Sequence, residues 1–426
     1  MADRAVAPEA AAVDPLDLVD LVDPLDLVDP ARFAERGYPH ELWARMRAEV
    51  PVTYLAPEGY HPFWAVTRYA DVVEVASRPE LFSSAHGLIL GRSTGTVAQP
   101  AEMVVTLDPP RHGPLRRAAM GRFTPKAVRT RRGEIDRIAA ELLDEVAAPG
   151  ATTEIDVVAR LAAPLPIAVI SWILGVPRSD WQLLFRWTNE IIGKDDPEFR
   201  RPGETPGQTI RRARSELHAY LGELIDRRRR EPGDDIVSHL LRAEIDGAPL
   251  TADQLLNYAE LMVEAGNETT RNAVSGGLLA FCEHPDQWER LRAEPDLLPG
   301  AVEEILRWVS PIIHFTRTAM EDCEVRGQAI ARGDRVALFY ASANRDEEVF
   351  THPFSFRVDR TPNRHLAFGS GPHFCMGAHL ARVELESLFG HLLGRLEQFE
   401  VAAPPERLRS AVNGGIKHLR LRWQLA

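Results

Sequence analysis

The stretch Phe368 to Gly377 reads FGSGPHFCMG and presents a single cysteine, Cys375, from a glycine-rich turn. A thiolate is a nucleophile and a metal ligand, and electropositive surroundings keep it ionised. Gly369, Gly371 and Gly377 permit positive φ and close backbone approach, so such a turn can lie against a large flat ligand and aim N–H groups at the sulfur. Leu380, Val383, Leu385, Leu388 and Leu392 follow at helical spacing, which puts Cys375 at a helix N-terminus, where negative charge is favoured. Phe374 and Met376 flank the sulfur and would keep water from it. Taken alone, a lone cysteine is most often a small buried hydrophobe.

A second chemical pattern lies in the middle of DQLLNYAELMVEAGNETTRNAVSGGLLAFCEH, the longest helical pattern in the chain, opened by a T-x-x-Q capping box at Thr251 to Gln254. Leu255 to Ala265 is apolar on nearly every face, as in a helix buried at the centre of a domain. Then Gly266, Asn267, Glu268, Thr269 and Thr270 interrupt it. Such a segment either opens locally to admit water, or Glu268 pairs with Arg271 while the threonines bond back to carbonyls. Further on, EEILRW sets Glu304 and Arg307 three apart on one helix face, a spacing that by itself describes a surface ion pair of little worth.

The elements around these residues follow from pattern. HELWARMRAEV and ADVVEVASRP are helices, with VTYL and FWAVTRY as short strands between them. Residues Ser83 to Ala101 form a long loop rich in Gly, Ser and Thr, with an apolar patch at Leu88 to Leu90. Asp108, Pro109 and Pro110 open a helix carrying His112, Arg116 and Arg117; basic groups at a helix start need another partner. Arg117, Arg122, Lys126, Arg129, Arg131 and Arg132 make a basic outer face. The polar, proline-rich KDDPEFRRPGETPGQ reads as a mobile connector between two helices, and VNGGIKHLRLRW as a closing hairpin.

Composition bounds the rest. In 426 residues no clear linker appears, and the net charge of -12 argues against nucleic acid as the main partner. Cys282, Cys323 and Cys375 have neither disulfide nor zinc spacing, which suits a reducing cytoplasm. No signal peptide or membrane anchor is read: the most apolar run, Leu161 to Val176, is short and carries two prolines. The motif DPLDLVD occurs twice, from Asp14 and from Asp23. Residues 1–30 are expected to form an acidic, partly disordered extension, with one copy strapped to the body, and 31–426 a single domain.

The pattern F-G-x-G-x-H-x-C-x-G resembles the haem-binding loop of the cytochrome P450 family, haem-thiolate monooxygenases, in its soluble bacterial form. AGNETT resembles that family's oxygen-activation motif, and E-x-x-R with Arg360 upstream of the loop resembles its buried structural network. The resemblance implies a mainly α fold with small β-sheets, and haem b (iron protoporphyrin IX) held between the long central helix and the cysteine loop. It implies Cys375 as axial iron ligand and Phe368, His373, His112, Arg116 and Arg317 around the haem, the histidines and arginines meeting propionates. Glu268 and Thr269 would deliver protons, because splitting O2 consumes two of them and an apolar pocket supplies none. Glu304, Arg307 and Arg360 would be structural, and Leu88, Leu90, Val263, Ala265, Val309, Ile312, Ile313, His314 and Ile416 would face the substrate, His314 either touching it or satisfying backbone.

The implied activity is hydroxylation or epoxidation of a hydrophobic small molecule such as a steroid, terpenoid or branched lipid. The alternatives are tailoring of a macrolide, peptide or carrier-bound substrate, or haem-thiolate ligand binding without turnover, against which the retained Glu268 and Thr269 count. No nucleotide-binding glycine loop follows a strand, so electrons are expected from a separate ferredoxin and ferredoxin reductase.

Overall fold

Thr251 and Gln254 close the expected capping box: the Thr251 Oγ1 accepts from the Gln254 N–H at 3.2 Å, and the Gln254 Oε1 accepts from the Thr251 N–H at 2.9 Å. From there the central helix, Ala252–Glu283, runs for 32 residues. At 1.5 Å per residue it is about 48 Å long. The computed structural model describes residues 22–93, 102–146, 150 and 152–425. In it, helices Pro164–Leu174, Trp181–Ile192, Pro206–Arg230, Leu298–Val309 and Ala378–Arg395 all pack on the central helix. Leu255, Tyr258, Met262, Val263, Val274, Leu278 and Phe281 are buried in one extended apolar core with those neighbours.

The central helix does not open at its polar segment. The Thr269 hydroxyl donates to the Ala265 carbonyl at 3.0 Å, and the Asn267 Nδ2 donates to the Thr188 Oγ1 at 2.8 Å. The Thr269 hydroxyl, the Asn267 amide and one Glu268 oxygen are taken by protein groups, and the segment stays α-helical throughout.

A five-stranded sheet stands to one side, in the order Val52–Leu55, Phe63–Val66, Arg335–Phe339, His314–Ala319, Phe82–Ser83. The first two strands pair antiparallel as expected, with Val52 opposite Val66. The closing segment does make a hairpin, with the strand just before it: Ile416–His418 pairs antiparallel with Glu406–Arg407 across the loop 408–415. Only Leu419 separates Ile416–His418 from Arg420–Leu425, so the two strands run on in one direction and take different partners. The second pairs with both Leu396–Val401 and Thr152–Asp156.

Other expectations shift in detail. Asp108 does not open its helix, which spans His112–Met120; its carboxylate is taken by the Ser84 N–H at 2.8 Å and by the Ser83 hydroxyl. The connector between Trp181–Ile192 and Pro206–Arg230 is tethered. Buried Asp196 accepts from the Arg409 N–H at 3.2 Å and the Lys417 Nζ at 3.4 Å. The second DPLDLVD copy forms a turn of helix, Pro24–Leu27, capped by the Asp23 carboxylate and fastened by buried Leu27 and Val28. The first copy lies outside the described residues. No described helix is long and apolar enough to cross a membrane.

Candidate active site

The cysteine loop is fixed by its own backbone. The Cys375 N–H donates to the Phe368 carbonyl at 2.9 Å, and the Phe374 N–H to the Gly371 carbonyl at 3.1 Å. Gly369 and Gly371 have φ of 71° and 68°, a region that side chains disfavour. A Cβ on Gly371 would lie 2.3 Å from the Ala76 carbonyl oxygen, so the loop is seated directly on helix Tyr69–Ala76. Gly377 differs from expectation: its φ of -82° is ordinary, and it serves instead as N-cap of helix Ala378–Arg395. Cys375 therefore precedes the positive end of a helix by two residues. Protein surrounds the thiol on all sides, yet its surface is exposed, so it looks onto interior space. Burial raises the thiol pKa, while the Gly377 N–H and the Arg116 and Arg382 charges pull it back.

Four basic side chains from three separate elements converge beside this loop. The His112 and His373 rings lie 4.3 Å apart, and the Nε2 of each is buried without a hydrogen-bond partner. Arg116 donates to the Phe374 carbonyl, and Arg317 donates to the Thr316 carbonyl at 2.8 Å. Burial, then the charges of Arg317 and Arg116 and the His112 ring, hold His373 down at about 3. None of the four is paired with a carboxylate among the described residues. Two orphaned imidazole nitrogens and two unpaired guanidiniums form a receptor for a dianion.

On the central helix, Leu261, Glu264, Ala265 and Thr269 keep exposed surface although helices pack on either side of them. Tyr258, on the same face as Ala265 and Thr269, reaches the Met376 Sδ at 3.9 Å, next to the cysteine. This arc and Cys375 thus border one interior region. Glu268 points elsewhere. It is buried in an ion pair with Arg271, whose Nη1 donates to the Asn189 Oδ1 at 2.7 Å, while the Glu268 Oε2 has no partner.

Glu304 and Arg307 are wholly buried rather than superficial. The Arg307 Nε and Nη2 donate to the two Glu304 oxygens at 2.7 Å each, and the Arg360 Nε adds bonds at 3.1 and 3.0 Å. The remaining guanidinium nitrogens bind the Asn344, Pro353, Thr351 and His352 carbonyls, pinning the irregular approach to the cysteine loop.

Residues 32–415 match the family model for cytochrome P450. The chain belongs to the cytochrome P450 family. It is 39% identical over 395 residues to a linalool 8-monooxygenase of Pseudomonas putida, covering 90% of this chain and 95% of that one. It is 36% identical over 410 residues to a steroid C26-monooxygenase of Mycobacterium tuberculosis, covering 93% and 91%. A Mycobacterium marinum P450 solved in complex with pseudoionone superposes with a TM-score of 0.86 at 34% identity, over 97% of this chain and 100% of that one. The protein is thus a P450 monooxygenase of hydrophobic small molecules, a family whose cofactor is haem b.

The thiol facing interior space and the four unpaired basic groups suit an iron porphyrin with two propionates. The apolar pocket set is divided. Ala265 is exposed to the interior and Val309 and Ile312 are half-buried, whereas Val263 and Ile416 are sealed in the main core. Leu90 and Ile313 belong to a satellite core beneath the sheet, while Leu88 is half-buried and its carbonyl accepts from the Thr316 N–H at 2.8 Å. His314 is fully buried against the Phe339 ring, and burial lowers its pKa to about 4.

Three members of the basic face are already engaged: Arg122 pairs with Asp234 at 2.8 Å, Arg132 with Glu386 at 2.8 Å, and Arg131 donates to the Arg122 carbonyl. Arg117, Lys126 and Arg129 remain exposed with no ion pair among the described residues. Sequence reasoning missed the Asn189–Arg271 clamp on Glu268 and the acid Glu264 in the interior arc.

Proposed function

We propose that Cys375 would bind the haem iron through its thiolate sulfur, that His112, His373, Arg116 and Arg317 would hold the two propionates, and that Phe368 would close the cysteine side. The observation that carries this reading is the convergence of four unpaired basic groups beside a thiol that opens onto interior space. A dianion there would supply the missing partners for the Nε2 atoms of His112 and His373.

When bound, haem activates O2 so that one oxygen atom is inserted into a C–H bond and the other leaves as water, with two electrons and two protons consumed. The chain's own contribution is to place the substrate, exclude water and move protons. Thr269 presents its hydroxyl at the interior arc, where it can hold a water once it releases the Ala265 carbonyl. Glu268 carries protons inward, and its free Oε2 is the atom through which they pass. The Arg271–Asn189 clamp keeps that carboxylate from drifting into the pocket. Glu304, Arg307 and Arg360 act only by fixing the loop.

The substrate class we infer is a terpenoid, steroid or branched lipid, supported by the apolar arc of Leu261 and Ala265 and by the substrates of the linalool and steroid enzymes. Electrons come from a ferredoxin and its reductase, docked on a face that includes Arg117, Lys126 and Arg129. Residues 1–30 form an extension to a single catalytic domain, 31–426, that works in the cytoplasm.

The test is the absorption spectrum of the holoprotein, resting and then reduced under carbon monoxide, followed by titration with a panel of terpenoids, steroids and branched lipids. A strongly red-shifted Soret band in the reduced carbonyl complex, lost in Cys375→Ala, is expected. A carbonyl complex without that shift overturns the thiolate assignment. Absence of any low-to-high-spin conversion across the panel overturns the substrate class.

A further inference from the structure

One ionisable side chain in the interior arc of the central helix has no part in the chemistry above. Glu264 shares that arc with Leu261, Ala265 and Thr269 and keeps part of its surface accessible although protein surrounds it. One helical turn earlier, Glu260 is completely buried and takes both cationic partners offered by helix Pro206–Arg230: the Arg214 Nε, and the His218 Nε2 at 2.5 Å. What remains for Glu264 is a long contact, 3.4 Å, from the Arg214 Nη2. Two carboxyls therefore share one guanidinium and one imidazole.

Burial, and then the neighbouring Glu260 carboxylate, push Glu264 up to about 7, so its charged form is disfavoured relative to an ordinary carboxylate. Its oxygens keep lone pairs that no strong protein donor fills. A buried acceptor facing a hydrophobic cavity is costly unless the ligand satisfies it.

Resting on the P450 reading above, the geometry points to Glu264 as the acceptor for a hydroxyl group on the substrate, so that the natural ligand is a hydrophobic alcohol anchored between the central helix and helix Pro206–Arg230. The chemistry of the cluster selects against the other polar groups. A ligand carboxylate would meet Glu260 and Glu264 together. A ligand ammonium would meet the Arg214 guanidinium and would lose its hydration in an apolar cavity. An alcohol brings one donor and no charge. Its hydroxyl would be held at one end of the cavity while the apolar body reaches toward Cys375, which fixes which C–H bond is presented.

The experiment compares a terpene alcohol with its methyl ether, its parent hydrocarbon and the amine of the same skeleton, by spin-state titration of the holoprotein. Wild type, Glu264→Gln and Glu264→Leu are measured side by side. In wild type the alcohol should bind about five- to tenfold tighter than the ether or hydrocarbon, the worth of one buried hydrogen bond. Glu264→Gln, which keeps an acceptor oxygen, should retain most of that preference. Glu264→Leu should abolish it while binding the hydrocarbon at least as well. Equal binding of alcohol and ether by wild type, a preference that survives in Glu264→Leu, or tighter binding of the amine than of the alcohol each overturns the assignment. The red-shifted carbonyl band, recorded on all three proteins, tests the thiolate reading separately: its presence with no alcohol preference defeats the Glu264 assignment alone.

Discussion

Arg271 holds Glu268 in a fully buried ion pair directly beside Thr269, the threonine on the interior arc. The pair is an obstacle as well as a support, because a carboxylate clamped on one oxygen must deliver protons through the other. Glu268→Gln keeps the shape and the hydrogen bond to Arg271, and Asn189 still accepts from the same guanidinium. Substrate binding, read as the spin-state shift, should stay within about twofold, while turnover falls by about a hundredfold, the usual worth of a positioned proton carrier. A larger solvent isotope effect on turnover is expected with it. Loss of binding in step with turnover would mean that the acid only supports the helix.

Thr269 is expected to act on the fate of oxygen rather than on binding. In Thr269→Ala the interior arc loses its hydroxyl but little volume. The fraction of consumed O2 that appears as peroxide should rise several-fold while the spin-state titration is unchanged. Thr269→Ser, which keeps the hydroxyl, should restore coupling. Equal coupling in all three proteins would leave the bond to the Ala265 carbonyl as the only task of this side chain.

The buried Glu304–Arg307–Arg360 network sets the loop that carries Cys375, and each member loses most if another is removed. Arg307→Ala removes two of the six hydrogen bonds to a fully buried carboxylate and strips the Asn344 and Pro353 carbonyls of a donor. Removing one partner of a buried ion pair costs about 3–5 kcal/mol, a large share of the stability of an ordinary domain. Arg307→Lys keeps the charge without the two-pronged geometry, so its thermal midpoint should fall between Arg307→Ala and wild type. Midpoints in the order wild type, Lys, Ala check the claim; equal midpoints for the two variants would show that charge contributes nothing there.

What the sequence made legible follows distance along the chain. The cysteine loop, the capping box at Thr251 and the E-x-x-R pair are local, and their geometry follows from the spacing of a few residues. Arg360 was legible only through the family resemblance, since more than fifty residues separate it from Glu304. The tether at Asp196, the Asn189 clamp and the Glu260–Arg214 pair each join residues that pattern cannot relate, because nothing in the polarity of one end marks the other. The distant partners of Arg420–Leu425 were out of reach for a similar reason. Alternation identifies a strand without saying which distant strand will pair with it.

Gly371 is the position at which the loop tolerates least. With φ at 68° and the Ala76 carbonyl 2.3 Å from where a Cβ would stand, Gly371→Ala must lift the loop off helix Tyr69–Ala76. Strain of this kind costs about 1–3 kcal/mol and moves the Cys375 backbone. Gly377→Ala, at an ordinary φ and with its Cβ 3.9 Å from the Cys375 Sγ, is the matched control. The first variant should show a lower thermal midpoint and a mixed Soret spectrum in the reduced carbonyl complex, the second neither. The same spectrum from both would refute the seating of the loop on that helix.

Glu384, on the cysteine helix, is buried with its Oε2 unpartnered, and burial alone pushes its pKa up to about 8. An acid whose folded pKa exceeds its unfolded value binds more protons when folded, so its effect on stability depends on pH with a definite sign. Below the unfolded value, near 4.5, both states are protonated and nothing is lost. Between that pH and about 8, the unfolded chain ionises while the folded one does not, and stability falls steadily. Above it the loss is constant. Glu384→Gln cannot ionise in either state, so the variant's thermal midpoint relative to wild type should rise from pH 5 to pH 8 and then level off, by about the linkage slope of one proton. A difference that is flat across this range would mean that the carboxyl finds a partner when haem is bound, and the same titration on haem-free protein would then restore the slope.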